Sequence, residues 1–259
     1  MKVALATVFY QKINEVKRLV ESVPKGVVDY WLAIDGPYRY IVEKYNTPPK
    51  SHLACRTVFT NKTGVDVRLY DNPGVTEYQK RQFYLELCSS ESFDIDVLII
   101  IDSDEYFLYP PGSDPFLIWR EFIFNISRAR QDNIKNYSDH NVFNIAFQDE
   151  GIKSYKPRIW LNPGEMRYLG GSHYHFGNVK REINKIKHYE SFGSIYNQAA
   201  ITEIPGMNIA HSHDLRHNDY KKRDKDYRDY ITRYEELIQT TEPGGKKLTA
   251  SIAHDLASI

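Results

Sequence analysis

Apolar residues in the first half of the chain fall into two kinds of segment, short continuous runs and longer helical stripes. Residues 2–8, KVALATV, form a mostly apolar run of strand length, and KINEVKRLVESV after it sets Ile13, Val16, Leu19 and Val20 on one helical face. VVDYWLAID at residues 27–35 ends on Asp35-Gly36-Pro37, and VDVRLYD ends on Asp71-Asn72-Pro73-Gly74, so both runs close in turn residues. Helical character returns in EYQKRQFYLELCSS, where Tyr78, Phe83 and Leu87 mix faces. DVLIIID at residues 96–102 is the most continuously apolar run of the chain, as expected of a central parallel strand covered on both sides. Asp114-Pro115 opens a further helix through FLIWREFIFNISRAR, the acid suiting the N-cap and the proline the first helical position. Strands alternating with helices predict right-handed βαβ units in an open α/β sheet, with its ligand crevice beyond the carboxyl ends of the strands. Thr7, Asp35, Asp71 and Asp102 fall at those ends.

Beyond residue 139 the texture changes to short strand-like pieces, NVFNIAF, PRIWL, GGSHYHF and MNIAHSH, punctuated by Asn162-Pro163-Gly164 and Gly170-Gly171. These predict a mixed extension of the sheet carrying loops. From about residue 218, DYKKRDKDYRDYITRYEELIQ repeats with helical period and sets Tyr220, Tyr227, Tyr230, Ile231, Tyr234 and Leu237 near one face. The organisation expected is one α/β domain over residues 1–215 with a helical extension, 216–259, packed on it. A partner-binding role for that extension is the lesser alternative.

Composition narrows the function. Hydrophobic residues at 41% and charged residues at 26% suit a folded core rather than disorder. Because 34 basic and 34 acidic side chains cancel, no global field draws in nucleic acid or an anionic membrane, and no nucleic-acid partner is expected. Cys55 and Cys88 are too few for a disulfide framework, which favours a reducing, cytoplasmic setting. No run reaches about 18 apolar residues, so no transmembrane segment is expected. The 20 tyrosines fit a tyrosine-rich core first and sugar contacts second.

The sharpest chemical signal is Ile99-Ile100-Ile101-Asp102-Ser103-Asp104-Glu105, three acids directly after a buried strand. Unpaired carboxylates are too costly to bury, so they must emerge in the crevice, where mutual repulsion invites a cation. Mg²⁺ or Mn²⁺ suits such a place, since each is commonly held by one or two carboxylates and substrate phosphates. An acidic turn capping the next helix is the plainer alternative.

With these residues in view, the chain resembles a family 2 glycosyltransferase of the GT-A fold, in the nucleotide-diphospho-sugar transferase superfamily. TEYQKRQFYLELCSSESFDIDVLIIIDSDE matches the family's basic helix, apolar strand and Asp-x-Asp-Glu; KPRIWLNPGEMRYLGGSHYHF resembles its Arg-bearing strand, turn and Gly-x-x-His segment; IAHSHDLRHNDYKKRDKDYRDYITRYEE resembles its final strand and helix. The likeness implies a Rossmann-like open mixed sheet with helices on both faces and a C-terminal helical appendage. It also implies metal-dependent transfer of a sugar, with inversion, from a nucleoside-diphosphate donor to a glycan, lipid-linked or small-molecule acceptor.

Residue by residue, the likeness sets Asp102 and Asp104 on Mn²⁺ or Mg²⁺, with Ser103 between them in the donor site and His211, or alternatively His213, completing the metal sphere. It sets Thr7 and Phe9 against the nucleotide, though Phe9 fits the core equally well. Asp35 would meet the base or ribose, and Lys80 or Arg81 the base or diphosphate, a solvated helix face being the rival place for both. Lys180, Arg181, Lys185 and Lys187 suit a solvated charge run, and secondarily a flap over the phosphates. The chain departs from the pattern at the catalytic base: Tyr174 stands between His173 and His175 where relatives carry His-Glu. Asp149, Glu150, Glu165 and His173 are the substitutes. A nucleotidyltransferase, a metallohydrolase and a catalytically idle sugar-binding protein are the alternatives.

Overall fold

Each apolar run becomes a strand, and the computed structural model describes residues 1–45, 47–90, 94–136, 142–149, 152–168, 175–183, 186–194 and 208–211. In chain order the first half comprises β1 (Val3–Phe9), α1 (Ile13–Ser22), β2 (Tyr30–Asp35), α2 (Arg39–Tyr45), α3 (Leu53–Thr60), β3 (Asp66–Asp71), α4 (Glu77–Cys88), β4 (Val97–Ile100), β5 (Glu105–Leu108) and α5 (Pro115–Asn136). The second half supplies β6 (Val142–Asp149), β7 (Ile152–Leu161), a 3-10 turn (Pro163–Glu165), β8 (Met166–Tyr168), β9 (His175–Ile183), β10 (Ile186–Ser194) and β11 (Asn208–His211). The extension expected at 216–259 lies outside the described residues. No helix among them is long and apolar enough to cross a membrane.

The fold is α/β, an open mixed sheet with helices on both faces. Its strand order is β3-β2-β1-β4-β7-β6-β11-β5, in which β3, β2, β1 and β4 are mutually parallel. β7 runs antiparallel to β4 and β6 antiparallel to β7, so β6 points the same way as β4. All of β1 and β4 is buried, which is why both read as unbroken apolar runs. One face of the sheet packs Val16 and Leu19 of α1, Phe59 of α3, and Trp119 and Phe122 of α5; the other packs Tyr84, Leu85 and Cys88 of α4. Burial raises the Cys55 thiol to about 11 and the Cys88 thiol to about 12, with the nearby Asp35 carboxylate adding to the effect at Cys55, so neither is a reactive thiolate at neutral pH. Ile13, expected on the buried face of α1, is 43% exposed because it opens the helix at the rim.

Two features aim the chain at the crevice. Thr76 and Gln79 form a capping box that starts α4, and this helix buries Lys80 and Arg81 while Tyr78, Phe83 and Leu87 are only half-buried. Residues 101–104 alone join β4 to β5, a reach of under about 20 Å, yet β7, β6 and β11 lie between those strands in the ladder. The sheet therefore curls back, and β5 packs on α1, where the Phe107 N–H donates to Ser22 Oγ at 3.1 Å. A three-stranded antiparallel sheet of β10, β9 and β8 stands beside it, its β9–β10 hairpin carrying Lys180, Arg181 and Lys187.

Gly36 holds the turn after β2 with a φ of +125°, and a Cβ there would stand 2.9 Å from the backbone of Pro73. Gly36→Ala is expected to destabilise the protein by about 1–3 kcal/mol, read as a lower urea midpoint with unchanged slope.

Candidate functional site

The strand order 3-2-1-4 reverses between β1 and β4, and an open α/β sheet binds its ligands outside that switch point, at the carboxyl ends of the strands. Chain entering the crevice there comes from residues 10–12 after β1 and 101–104 after β4. Ile101 extends β4 by one rung, its N–H donating to Ala6 O at 3.0 Å, and the acidic turn follows.

Within that turn the chain supplies its own cations. Asp102 Oδ1 accepts from Arg81 Nη2 at 2.7 Å and Oδ2 accepts from Arg158 Nη2 at 2.9 Å. Arg158 also pairs with Glu105, whose side chain is fully buried and whose Oε2 accepts from the Asp102 N–H at 2.9 Å. Arg81 is anchored a turn earlier on α4 by Glu77, at 2.9 Å. Burial alone would push the Asp102 carboxyl up, but the Arg81 and then the Arg158 charges outweigh it and hold the group well below the usual carboxylate range. The Arg158 guanidinium is held above its ordinary value against its own burial, chiefly by Glu105 and Asp102. The repulsion among the acids is thus largely answered by two arginines from α4 and β7.

Asp104 meets a different cation, Lys12 Nζ at 3.5 Å, across the switch point. Lys12 lies in an unusual corner: Gln11 and Lys12 both have left-handed φ, +55° and +57°, a conformation that few residues without special need adopt. The corner is clamped from the segment before α3 and from the first turn of that helix. Gln11 N donates to Ser51 Oγ at 2.8 Å, His52 N donates to Gln11 Oε1 at 3.2 Å, and Cys55 Sγ donates to Gln11 O at 2.9 Å. Ser51 is fixed in turn by Asp35, which accepts from its hydroxyl at 2.6 Å and from its N–H at 3.1 Å. Arg56 of α3 bridges Asp35 and Asp71. The Asp71 carboxyl is lowered by Lys50 first and then, against some burial, by Arg56.

Other expected site residues divide by position. Lys80 is wholly buried, not on a solvated face; it donates to Gly36 O, lies 5.4 Å from the Tyr38 ring centroid, and is pushed down to about 8 by burial against the opposing pull of Asp35. Arg81 is likewise buried. Thr7 is buried and accepts from Trp31 Nε1 at 3.1 Å, while the Phe9 ring packs on Phe59 with centroids 4.7 Å apart, so both serve the core. Ser103 is 9% exposed in the acidic turn. Asp149 closes β6 at the crevice end of the sheet. Glu165 sits in the 3-10 turn after β7, at the opposite end, where Asn162 N bonds Asp96 O just before β4. His211 closes β11 opposite Glu105 in the ladder. Glu150, His173 and His213 lie outside the described residues.

Arg158 and Lys12 are the members that patterning overlooked. Arg158 interrupts the apolar run of PRIWL, and a charge inside a strand that otherwise reads as buried is the signal that finds it. As to a divalent cation, Asp104 fits one, for it already holds a positive group at the switch point. Asp102 fits less well, since both its oxygens are engaged by guanidinium groups. Among the described residues no three His, Cys, Asp or Glu side chains gather into a metal-binding group.

No protein-family model matches the chain, and no curated protein matches it by sequence. Solved structures of TarS from S. aureus match it in part. TarS 1-349 aligns at 14% identity and a TM-score of 0.36 over 60% of this chain and 38% of that one. TarS aligns at 14% and 0.33 over 60% and 23%, and TarS 1-349 in complex with UDP at 15% and 0.33 over 57% and 36%. The chain thus spans well under half the length of each, and likeness of this degree assigns it neither a family nor an activity.

Proposed function

We propose that the chain is a glycosyltransferase of the GT-A type, moving a sugar with inversion from a nucleoside-diphosphate donor to an acceptor hydroxyl. The observation that supports this most is the acidic turn after the central strand, set at the switch point of a 3-2-1-4 sheet and facing a cationic corner from the first strand. Asp104, with His211 or His213 and the donor phosphates, would hold Mn²⁺ or Mg²⁺. The cation would supply Lewis-acid stabilisation of the charge that builds on the leaving diphosphate.

The chain's own residues do the rest. Arg81 and Arg158 fix the backbone of the acidic turn through Asp102 and Glu105, so that Asp104 is presented in one orientation. Asp35, already saturated by Ser51 and Arg56, acts by holding the nucleotide-side loop in place. An acid from the crevice end of β6 would take the acceptor proton on the face opposite the leaving group.

Asp104→Asn tests the centre of this reading. Calorimetry with UDP, other nucleoside diphosphates and Mn²⁺ is expected to show metal-dependent binding in the parent chain and its loss in the variant, with thermal unfolding unchanged. Equal metal-dependent binding in both chains would remove Asp104 from the site. Product formation from a labelled nucleotide sugar separates a transferase from an idle sugar-binding protein and from the hydrolase and nucleotidyltransferase classes.

A further inference from the structure

At the crevice, Gln11 and Lys12 form a corner of two successive residues with left-handed φ. Two successive residues other than glycine are strained in that region, and hydrogen bonds from Ser51, His52 and Cys55 hold Gln11 there. What the corner presents at the crevice is the Lys12 ammonium. Its side chain is 44% exposed, so it is able to move, and it spans the switch point to Asp104. The neighbouring cations have other duties. Arg81 and Arg158 are buried on Asp102 and Glu105, Lys80 is buried on Gly36 O, and Arg56 is shared by Asp35 and Asp71. Lys50 is exposed, but it pairs with Asp71 at 2.5 Å beyond β2.

We propose that Lys12 is a ligand of the donor diphosphate, held on Asp104 in the ligand-free chain and released to the phosphates when a divalent cation takes its place on that carboxylate. The inference rests on the nucleotide-sugar reading above and adds to it the residue that exchanges partners. Asp104 cannot serve the ammonium and a divalent ion equally well, because like charges at one carboxylate repel. A phosphate arriving with the ion offers the displaced ammonium a more highly charged acceptor in the same crevice.

Lys12→Asn tests this, since asparagine tolerates left-handed backbone and removes the charge without adding strain. The unfolding temperature is expected to stay at or above that of the parent chain. UDP, titrated with Mn²⁺ present, is expected to bind about tenfold more weakly to the variant, a change of about 1.4 kcal/mol, while uridine binds both chains alike. Mn²⁺ titrated alone and followed by electron paramagnetic resonance should bind the variant several-fold more tightly, because its competitor is gone. Lys12→Arg should keep most of the UDP affinity. Undiminished UDP binding by Lys12→Asn, an equal loss for UDP and uridine, or unchanged affinity for Mn²⁺ alone would each overturn the assignment of Lys12 and leave the donor site standing. If the parent chain binds no nucleoside diphosphate under any metal condition, the donor reading falls, and the role of Lys12 falls with it.

Discussion

Arg158→Met is expected to lower the free energy of unfolding by about 3–5 kcal/mol, because it removes one partner of a buried charged set and leaves the others in place. Glu105 is wholly buried and would lose its guanidinium; Asp102, 28% exposed, would keep only Arg81. At roughly 2–4 °C per kcal/mol for a chain of this size, the loss of 3 kcal/mol appears as a fall of about 6–12 °C in unfolding temperature. The pH dependence distinguishes this cause from lost packing. In the parent chain Asp102 is held below the usual carboxylate range, so its contribution is present above the unfolded value near 4 and fades as pH falls through the folded one. Arg158→Met removes part of that depression, so the deficit is full at neutral pH and shrinks as the pH falls below about 4. Adding Glu105→Gln to Arg158→Met should restore part of the loss at pH 7. A deficit that stays constant from pH 7 down to about pH 3 and is unrelieved by Glu105→Gln would assign the effect to packing.

How much of this was legible beforehand follows from what is local in a sequence. The first four strands and their turn-closing residues were readable because each is one uninterrupted apolar run, and the helix at Asp114-Pro115 because its cap and first residue are adjacent. The acidic turn was readable for the same reason. Its partners were not: Arg81 lies 21 residues before Asp102 and Arg158 lies 56 after it, and only the fold brings them to one carboxylate. Repulsion among the three acids was expected to bring in a divalent cation; Arg81, Arg158 and Lys12 of the chain itself lie against them, with Glu105 buried rather than in the crevice, and nothing local announces that. Asp35 illustrates the same limit. Its place at a strand end was plain, yet its engagement by Ser51, which makes it the anchor of the Gln11–Lys12 corner, depends on a loop whose neighbouring helices, α2 and α3, left no clear periodic mark. Lys80 and Arg81 show how charge misleads on a helix, since both are buried where a polar stripe suggests solvent.

Asp149→Asn is expected to slow sugar transfer by about 10²–10⁴-fold, the usual scale for loss of a general base, with the affinity for nucleoside diphosphate unchanged. Tyr174 occupies the position where the resembling chains carry an acid, and a phenol with an ordinary value near 10 is a weak base at neutral pH. Of the substitutes, Asp149 and Glu165 end at opposite edges of the sheet. Glu165 follows β7 on the side where β4 begins, remote from the acidic turn. Asp149 ends β6 on the crevice side, with only β7 between its strand and β4, so the strand axes are about 10 Å apart. Phe143 is level with Ile99, so Asp149 stands six residues farther along; on the other side β11 sets Ile209 level with both Phe147 and Phe107, which brings the end of β6 level with Glu105 across one strand, about 10 Å away. Steady-state kinetics of the variant should show a fall in kcat with little change in donor KM. Glu165→Gln should transfer at close to the parent rate. Near-normal turnover by Asp149→Asn would move the base to Glu150 or His173, and an inactive Glu165→Gln that still binds donor would sink the geometric reason for separating the two acids.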